Sequence, residues 1–432
     1  MNCQLSFLPV QMRLPLKFGS QTVESIVFAR VCRQAYGVTG WGETPLSVGW
    51  GWPGPLPFAL REDAMKRFCV FLSQRLDNPE EHPLEYGKVF LDERLPALRA
   101  EFNRDEPHPL PLLAALICAS PFDIALHDAF GKSLGLPVNQ TCNAALMKHD
   151  LAWFYGDNRF ADRYPQDYFA QAPLPATLPV WHLVGGKDRL DGENQLNDGY
   201  PETLREWIQR DGLKCLKVKL TGTDSAWDQE RLLSVGQMAV EMDVEALSAD
   251  FNCQVGDIGY VTAILDTLRE RHPQVFARLL YVEQPFPMEL DEGPRDVREV
   301  SARCPLFMDE SAHDWREVRR GWERGWNGVA LKVCKSWTGA VLSGCWAREH
   351  HMQLMVQDLT NAMLAAIPHV ILAQWVGTIM GVECNAPQFY PAASRKEAAT
   401  HPWLYERRHG VVDLSTLRGP GFQWAMHLEI GN

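Results

Sequence analysis

Eight short apolar runs alternate with helical segments over the second half of the chain, and this alternation constrains the fold more than any other feature. The runs are rich in β-branched residues and span 178–184, 213–220, 244–251, 279–286, 305–310, 328–335, 352–358 and 379–385. The segments between most of them are long enough for a helix. Strands that alternate with helices form parallel sheets, and eight such units close into a barrel of about 250 residues. The sequence therefore predicts a parallel (β/α)8-type barrel.

The remaining residues fall into three further segments around this predicted barrel, which we place at 178–405. Residues 1–139 begin with β-rich runs, continue with helical patterning and end near a Gly-Leu-Pro stop signal, so they predict an α+β domain. Residues 140–177 mix aromatic residues, prolines and charges without a clear period, and we interpret them as an inserted excursion at the domain junction. Residues 406–432 form a closing segment after the barrel.

Composition describes an ordinary globular protein with an acidic surface. The 432 residues carry a net charge of −12, and no basic tract is present, so neither nucleic acid nor an anionic membrane is an expected partner. The 11 cysteines are scattered without a C-x-x-C pair, which is typical of reduced thiols in the cytosol. No signal peptide or membrane-spanning stretch is evident in the sequence. We therefore expect a cytoplasmic location.

Charged residues recur at the ends of five successive predicted strands. In chain order they are Lys219, Asp250, Glu283, Asp309 and Lys332. Their spacings lie between 23 and 33 residues, and one βα unit of such a barrel has roughly 31. The C-terminal ends of barrel strands meet at one mouth, where barrel enzymes carry their active sites. We therefore expect three clustered carboxylates with a lysine on either side.

This order of charges favours a particular chemistry. Clustered carboxylates repel each other unless a cation holds them, and oxygen ligands without histidine or cysteine favour Mg²⁺, with Mn²⁺ second. Lysines on opposite faces could remove the proton α to a substrate carboxylate, giving an enediolate, and return it from the other side. That reaction is racemisation or epimerisation. With a leaving group or internal nucleophile β to the carboxylate, the same step gives elimination or cycloisomerisation. A metal-assisted hydrolase or aldolase is a further alternative, although it usually uses histidine ligands.

A stretch rich in glycine, proline and tryptophan covers 47–55 and is too irregular for a helix or a strand. It is either a surface connector or a binding loop whose Trp50 and Trp52 cover a ligand. Together with Trp337, these residues favour an apolar or aromatic group distal to the substrate carboxylate.

Taken as a set, the motifs resemble those of the enolase superfamily and, within it, the muconate-lactonizing-enzyme-like subgroup of the mandelate racemase/muconate lactonizing enzyme family. The motifs are GWGE at 40–43, LKVKL at 216–220, DFN at 250–252, VEQP at 282–285, MDE at 308–310, LKVCK at 331–335 and GPGF at 419–422. The resemblance implies a modified TIM barrel under an N-terminal α+β capping domain, which the C-terminal segment completes. It also implies that loops at 18–20 and 47–52 close over the substrate.

The resemblance assigns roles residue by residue. Lys219 resembles the general base, Lys217 a helper that tunes this base and contacts the substrate carboxylate, and Lys332 the acid/base on the opposite face. The metal ligands are Asp250, Glu283 and Asp309, and their supporting neighbours are Asn252 and Glu310.

The ends of the last two predicted strands bear on the substrate. Asp358 and Glu383 stand there as candidate substrate-binding residues. Dipeptide epimerases of this subgroup carry an Asp-x-Asp pair after the eighth strand to hold the substrate ammonium, whereas this chain has Glu383-Cys384-Asn385. A dipeptide substrate is therefore not expected. The partner is a small molecule with a carboxylate, and the resemblance implies a homo-oligomer.

Overall fold

The N-terminal region opens with a three-stranded antiparallel meander. The computed structural model describes residues 3–19, 21–170 and 173–424. Strands β1 (Cys3–Phe18), β2 (Gln21–Ala35) and β3 (Val38–Pro45) pair in that order. The register of the β1–β2 hairpin shifts between Gln11 and Leu16, in a stretch that includes Pro15, which has no N–H to donate. The hairpin reaches from the meander to the barrel, where Gly186 N donates to Lys17 O at 3.0 Å.

In the described residues of this region, five α-helices follow the meander, and a π-helix (Phe90–Arg94) joins the third to the fourth. The α-helices are α1 (Val48–Gly51), α2 (Phe58–Ser73), α3 (Pro83–Val89), α4 (Leu95–Phe102) and α5 (Leu112–Leu134). The prediction of an irregular stretch is wrong for α1, because Gly51 N donates to Ser47 O and Trp52 N donates to Val48 O, which closes a helical turn. Of the helices in the described residues, α5 alone is long and apolar enough to cross a membrane, by length and composition. Since 89% of its most apolar window is buried inside the protein, it is placed as a core helix.

The described residues of 140–177, namely 140–170 and 173–177, pack against the outside of the barrel. They contain α6 (Leu151–Tyr155) and several short turns. The Tyr155 hydroxyl donates to Leu342 O at 2.6 Å, and Ala170 N donates to Trp375 O at 2.9 Å. The ring of Phe169 lies 4.8 Å from that of Trp375. This segment therefore covers two helices of the barrel wall.

Eight parallel strands form the barrel, which confirms the predicted fold class. They are β4 (Thr177–Val184), β5 (Cys215–Lys219), β6 (Ala246–Asp250), β7 (Leu279–Glu283), β8 (Leu306–Met308), β9 (Gly328–Leu331), β10 (Gln353–Val356) and β11 (Val382–Glu383). Their order in the sheet is β10-β9-β8-β7-β6-β5-β4-β11. Ile379 N, just before β11, donates to Leu354 O on β10 at 2.9 Å and brings the two ends of the sheet together.

Helices surround this sheet, and several of them begin at a polar cap. They are α7 (Leu204–Asp211), α8 (Ser225–Glu241), α9 (Ile258–Arg271), α10 (Pro273–Phe276), α11 (Arg298–Ser301), α12 (Trp315–Glu323), α13 (Trp337–Glu349), α14 (Ala366–Val376), α15 (Ala386–Phe389), α16 (Arg395–Ala398) and α17 (Pro402–Tyr405). The side chains of Thr203, Asp224, Asp257 and Asp314 accept backbone N–H groups at the starts of α7, α8, α9 and α12. Such caps satisfy donors that a helix N-terminus leaves without partners.

Apolar side chains fill the lower part of the barrel interior. Trp181, Cys215, Tyr281, Phe307 and Met355 form one buried cluster there. Because strand side chains alternate between faces, the residue two positions beyond Cys215, namely Lys217, also points inward. The barrel floor is therefore packed, and the charged residues lie at its mouth.

Asp128 joins three distant parts of the chain. Its carboxylate accepts from Trp41 N on β3 and from Phe422 N near the C-terminus, both at 2.9 Å. The closing segment reaches this point after β12 (Val411–Asp413) has paired with β4. Gly421 has φ 64°, and a Cβ there would collide with Asp128 Oδ1, so glycine is required. Of the predicted closing segment 406–432, residues 425–432 lie outside the described residues.

Replacing Asp128 with alanine tests this junction. We expect the apparent free energy of unfolding to fall by about 2–5 kcal/mol, because each buried N–H left without an acceptor costs about 1–3 kcal/mol. Urea unfolding followed by circular dichroism measures the change. The exposed Asp105→Ala is the matched control, with an expected change below about 0.5 kcal/mol. An Asp128→Ala variant as stable as this control would contradict the assignment.

Candidate active site

Strand register brings the predicted charged residues together at the barrel mouth. Lys219 on β5 is the register partner of Asp250 on β6, and Asp250 is the partner of Glu283 on β7. Asp309 directly follows β8, and Lys332 directly follows β9. None of the five residues is more than 6% exposed. Such burial of charges requires compensation within the site.

The two lysines of β5 supply part of this compensation. Lys217 Nζ lies 2.6 Å from Glu283 Oε1, 3.1 Å from Asp250 Oδ2 and 3.4 Å from Glu383 Oε2. Lys219 Nζ forms an ion pair with Asp250 Oδ2. Both lysines thus share the carboxylate of Asp250, while Lys217 alone reaches Glu283.

Asp309 carries a second pair of lysines. Lys332 Nζ lies 3.2 Å from Asp309 Oδ2 and donates to Asp358 O at 3.3 Å. Lys335 Nζ donates to Asp309 O at 2.6 Å and lies 3.7 Å from Asp309 Oδ1. Sequence reasoning assigned no role to Lys335, although it lies within the LKVCK motif. Its buried ammonium fixes the backbone of a predicted metal ligand.

Lys219 and Lys332 face each other across the mouth. Strands β5 and β9 are separated by β6, β7 and β8 on one side of the barrel and by β4, β11 and β10 on the other. An aromatic ring lies near each lysine. The ring centroid of Phe18 is 5.7 Å from Lys219 Nζ, and that of Trp50 is 5.1 Å from Lys332 Nζ. The two ammonium groups therefore approach the same cavity from opposite walls.

The carboxylates strongly influence each other's ionisation. Burial raises the pKa of Glu283 well above its usual range, and the nearby charge of Asp250 adds to the shift. Burial also disfavours ionised Asp250, but Lys219 and Lys217 outweigh it and hold the pKa of Asp250 below its usual range. Burial, followed by the charge of Asp309, raises the pKa of Glu310 to about 7. The cluster thus depends on neighbouring positive charge.

Neighbouring carboxylates raise the pKa of two of the lysines. Burial lowers the pKa of Lys217, but Glu283 and Glu383 outweigh it and hold the pKa well above its usual range. Burial likewise opposes the charged form of Lys332, and Asp309 outweighs it, so the pKa of Lys332 is also raised. In this arrangement both side chains are ammonium ions.

The donor set at the mouth fits a hard divalent cation. Across the described residues, no group of three or more His, Cys, Asp or Glu side chains is already arranged as a metal site; the three carboxylates are paired with lysines instead. Three oxygen atoms there are buried and have no hydrogen-bond partner among the described residues: Asp309 Oδ1, Glu310 Oε2 and Asn252 Oδ1. Oxygen donors from three carboxylates are the ligands that Mg²⁺ prefers. Asp250, Glu283 and Asp309 would hold it.

Amide side chains orient these carboxylates. Gln357 Nε2 donates to Glu283 Oε2 at 2.6 Å and to the Tyr281 hydroxyl at 3.2 Å. Gln284 Oε1 accepts from Asp309 N at 2.7 Å, and Asn252 Nδ2 donates to Glu310 Oε1 at 3.2 Å. Sequence reasoning identified Asn252 but missed the roles of both glutamines. Each is adjacent in sequence to a predicted site residue, which was the available signal.

Most of the predicted substrate-binding residues line one cavity above the lysines. Trp50, Asp358 and Glu383 contribute to its lining. The carboxylate of Asp358 accepts from Asn385 N at 2.9 Å and from Asn385 Nδ2 at 3.0 Å. Asn385 Nδ2 also donates to Glu383 Oε1 at 2.7 Å, so one asparagine holds both acids.

Two predicted tryptophans lie elsewhere. Trp52 is not among the residues that line the cavity; it packs in the N-terminal core, and its carbonyl accepts from Arg61. Trp337 is fully buried and stacks on Trp375 with ring centroids 6.1 Å apart. The prediction that Trp337 contributes to substrate selection is therefore wrong, since α13 directs its side chain into the core.

The N-terminal region supplies the remaining walls of the cavity. Phe18 at the hairpin tip and residues 47–50 line it, at the two loops that the resemblance implies; Ser20 lies outside the described residues. Sequence reasoning missed the strand residues that also line it, which are Met12, Leu16, Val23 and Ile26. A buried apolar residue on a strand gives no sequence signal that distinguishes a ligand cavity from a protein core.

Fold and site together define an enzyme class in which a barrel mouth carries acidic residues between lysines. Residues 199–428, more than half of the chain, match the family described as enolase C-terminal domain-like. The chain therefore belongs to this family, and its resemblance to the muconate-lactonizing-enzyme-like subgroup of the enolase superfamily is confirmed. No curated protein sequence matches the chain significantly.

Several solved structures share the whole architecture. The N-succinyl Arg/Lys racemase from Bacillus cereus has a TM-score of 0.64 at 17% identity, covering 98% of this chain and 94% of that one. The dipeptide epimerase from Cytophaga hutchinsonii, complexed with Mg and a dipeptide, has a TM-score of 0.60 at 17% identity, covering 90% and 88%. The muconate lactonizing enzyme from Pseudomonas fluorescens, complexed with muconolactone, has a TM-score of 0.61 at 14% identity, covering 97% and 94%. At these identities the likeness shows the fold.

Gln357→Leu tests the support of the carboxylates. Loss of the hydrogen bond to Glu283 leaves that carboxylate free to rotate, and we expect Mg²⁺ affinity to fall about 10- to 100-fold. Isothermal titration calorimetry measures the Mg²⁺ affinity. Gln374→Leu is the matched control, because Gln374 Nε2 donates to Pro175 O on the outside of the barrel. Equal Mg²⁺ affinity in the two variants would show that Gln357 does not orient a metal ligand.

Proposed function

We propose that the protein is a Mg²⁺-dependent enzyme that removes the proton α to the carboxylate of a small substrate and acts as a racemase or epimerase. One observation carries this proposal: Lys219 and Lys332 reach the same cavity from opposite walls of the barrel. The family and its solved neighbours support catalysis of this general kind. A single base on one wall would not account for the second buried lysine.

The chain's own residues provide two proton-transfer groups. When uncharged, the Nζ of Lys219 can accept the α-proton on one face, while the ammonium of Lys332 donates a proton on the other, and the roles reverse for the opposite enantiomer. Lys217 lies beside Asp250 and Glu283, where its positive charge favours a bound carboxylate. Mg²⁺ at Asp250, Glu283 and Asp309 would supply the charge that stabilises the enediolate. The aromatic faces of Phe18 and Trp50 limit the access of water to both lysines.

The alternatives share the first step and differ in the substrate. Cycloisomerisation requires a nucleophile within the substrate, and elimination requires a leaving group β to the carboxylate. Two acid/base groups on opposite faces favour racemisation, because net inversion uses both. A cytoplasmic location and homo-oligomeric assembly stay predictions from the sequence.

Single replacements of the two lysines test the assignment. We expect Lys219→Ala to lose deuterium exchange at the α-carbon of one enantiomer, and Lys332→Ala that of the other, each by about 10²- to 10⁴-fold. Proton NMR in deuterated solvent, with N-acyl and free amino acids and β-hydroxy acids as substrates, measures exchange. Lys214→Ala is the control, since Lys214 precedes β5 and pairs with the exposed Asp243. Undiminished exchange in Lys219→Ala would refute its role as the base.

A further inference from the structure

The cavity above the lysines has two chemically different ends. Its charged end is formed by residues at the barrel mouth, namely Lys217, Lys219, Asp309, Lys332, Asp358 and Glu383. Its other end is formed by the β1–β2 hairpin, α1 and their neighbours, and it is almost entirely apolar. We propose, building on the proposed function, that the substrate is a monocarboxylate whose remaining group is an uncharged alkyl or aryl chain held in this apolar end.

The apolar end is a continuous buried surface. Met12, Leu16, Val23 and Ile26 from the hairpin join Leu183 of β4 in one cluster, and none of the five is more than 8% exposed. Leu46, Val48, Phe58 and Leu359 extend the lining toward the lysines. A hydrocarbon chain that enters this end is removed from water over its whole length, which contributes about 0.8 kcal/mol per methylene.

The hairpin offers no charge to a second ionic group. Two of its cationic residues, Arg13 and Lys17, are adjacent in sequence to lining residues. Arg13 donates to Asp198 at 2.8 Å and to the carbonyls of Tyr200 and Pro201 at 3.2 and 3.0 Å. Neither Arg13 nor Lys17 lines the cavity. Among the described residues, the polar groups that the N-terminal region adds to the lining are neutral: the hydroxyls of Ser25 and Ser47 and the indole N–H of Trp50, which is buried without a hydrogen-bond partner. A second carboxylate there would lose its hydration without gaining a cationic partner, which is costly.

The reacting carbon lies where the two ends meet. Phe18 is 5.7 Å from Lys219 Nζ, and Trp50 is 5.1 Å from Lys332 Nζ, so apolar walls begin directly beside both lysines. A substrate with its carboxylate at the charged end therefore directs the substituent of its α-carbon toward the hairpin. Residues 12, 16, 25 and 26 determine which substituent fits.

Binding of simple carboxylates tests this selectivity without turnover. Isothermal titration of the protein in Mg²⁺ with butanoate, pentanoate and hexanoate should give affinity that rises about fourfold per methylene. Adipate, in which a second carboxylate replaces the terminal methyl group of hexanoate, should bind at least about tenfold more weakly than hexanoate. Affinity that does not depend on chain length, adipate binding as tight as hexanoate, or no binding of any of these acids would overturn the inference.

Variants of two hairpin residues test whether the hairpin binds the hydrocarbon chain. Leu16→Asn should reduce hexanoate affinity about fourfold or more, while Leu16→Met, which keeps an apolar side chain of similar volume, should stay within about twofold. Ser25→Val adds apolar surface to the lining and should tighten hexanoate binding about two- to fourfold, a gain that misfolding cannot produce. Equal affinities in all three variants would overturn the assignment of the hairpin as the binding wall.

The binding experiments test the substrate class, whereas the α-proton exchange experiments test the proposed reaction, so the two can fail independently. A protein that binds hexanoate in the expected order but exchanges no α-proton retains the binding inference and loses the proposed reaction. A protein that exchanges α-protons of dicarboxylates in preference to apolar acids retains the reaction and loses the inference.

Discussion

Compensation of charge inside a buried barrel mouth is the constraint on which the rest of the structure depends. Moving one carboxylate or ammonium ion out of water costs several kcal/mol even after the protein relaxes, and the mouth contains several of each. Asp250 is shared by Lys217 and Lys219, whereas Asp309 is shared by Lys332 and Lys335. Removing one member leaves its partner uncompensated, so the site acts as one unit.

The barrel and the N-terminal region contribute to this compensation in different ways. The barrel places acids on β6, β7 and after β8 and lysines on β5 and after β9, because parallel strands end at a common level. The N-terminal region contributes apolar walls and little charge, which keeps the dielectric constant low and the ion pairs strong. Glu43 links the two parts, since it pairs with Arg30 at 2.5 Å and accepts from Ala365 N beyond β10 at 3.2 Å. The barrel thus carries the charged groups, and the N-terminal region supplies apolar walls beside them.

The barrel and its charged residues could be predicted from the sequence because both follow a period. One βα unit separates each of these residues from the next, so they recur once per unit although loop length varies their spacing between 23 and 33 residues. The supporting contacts have no such period. Gln357 reaches Glu283 from three strands away in the barrel, and Trp337, on the first turn of α13, faces the core rather than the cavity. The apolar lining of the hairpin, including Leu16, is indistinguishable in sequence from a protein core, since both require the same residues.

We propose that the lysine–carboxylate pairs at the mouth are one arrangement of a site that also accepts a divalent cation. The anomalous scattering of Mn²⁺ in crystals of the protein soaked with the metal tests this proposal most directly. We expect one strong peak in contact with the carboxylate oxygens of Asp250, Glu283 and Asp309. A peak elsewhere, with these three carboxylates still paired only to lysines at saturating Mn²⁺, would contradict it.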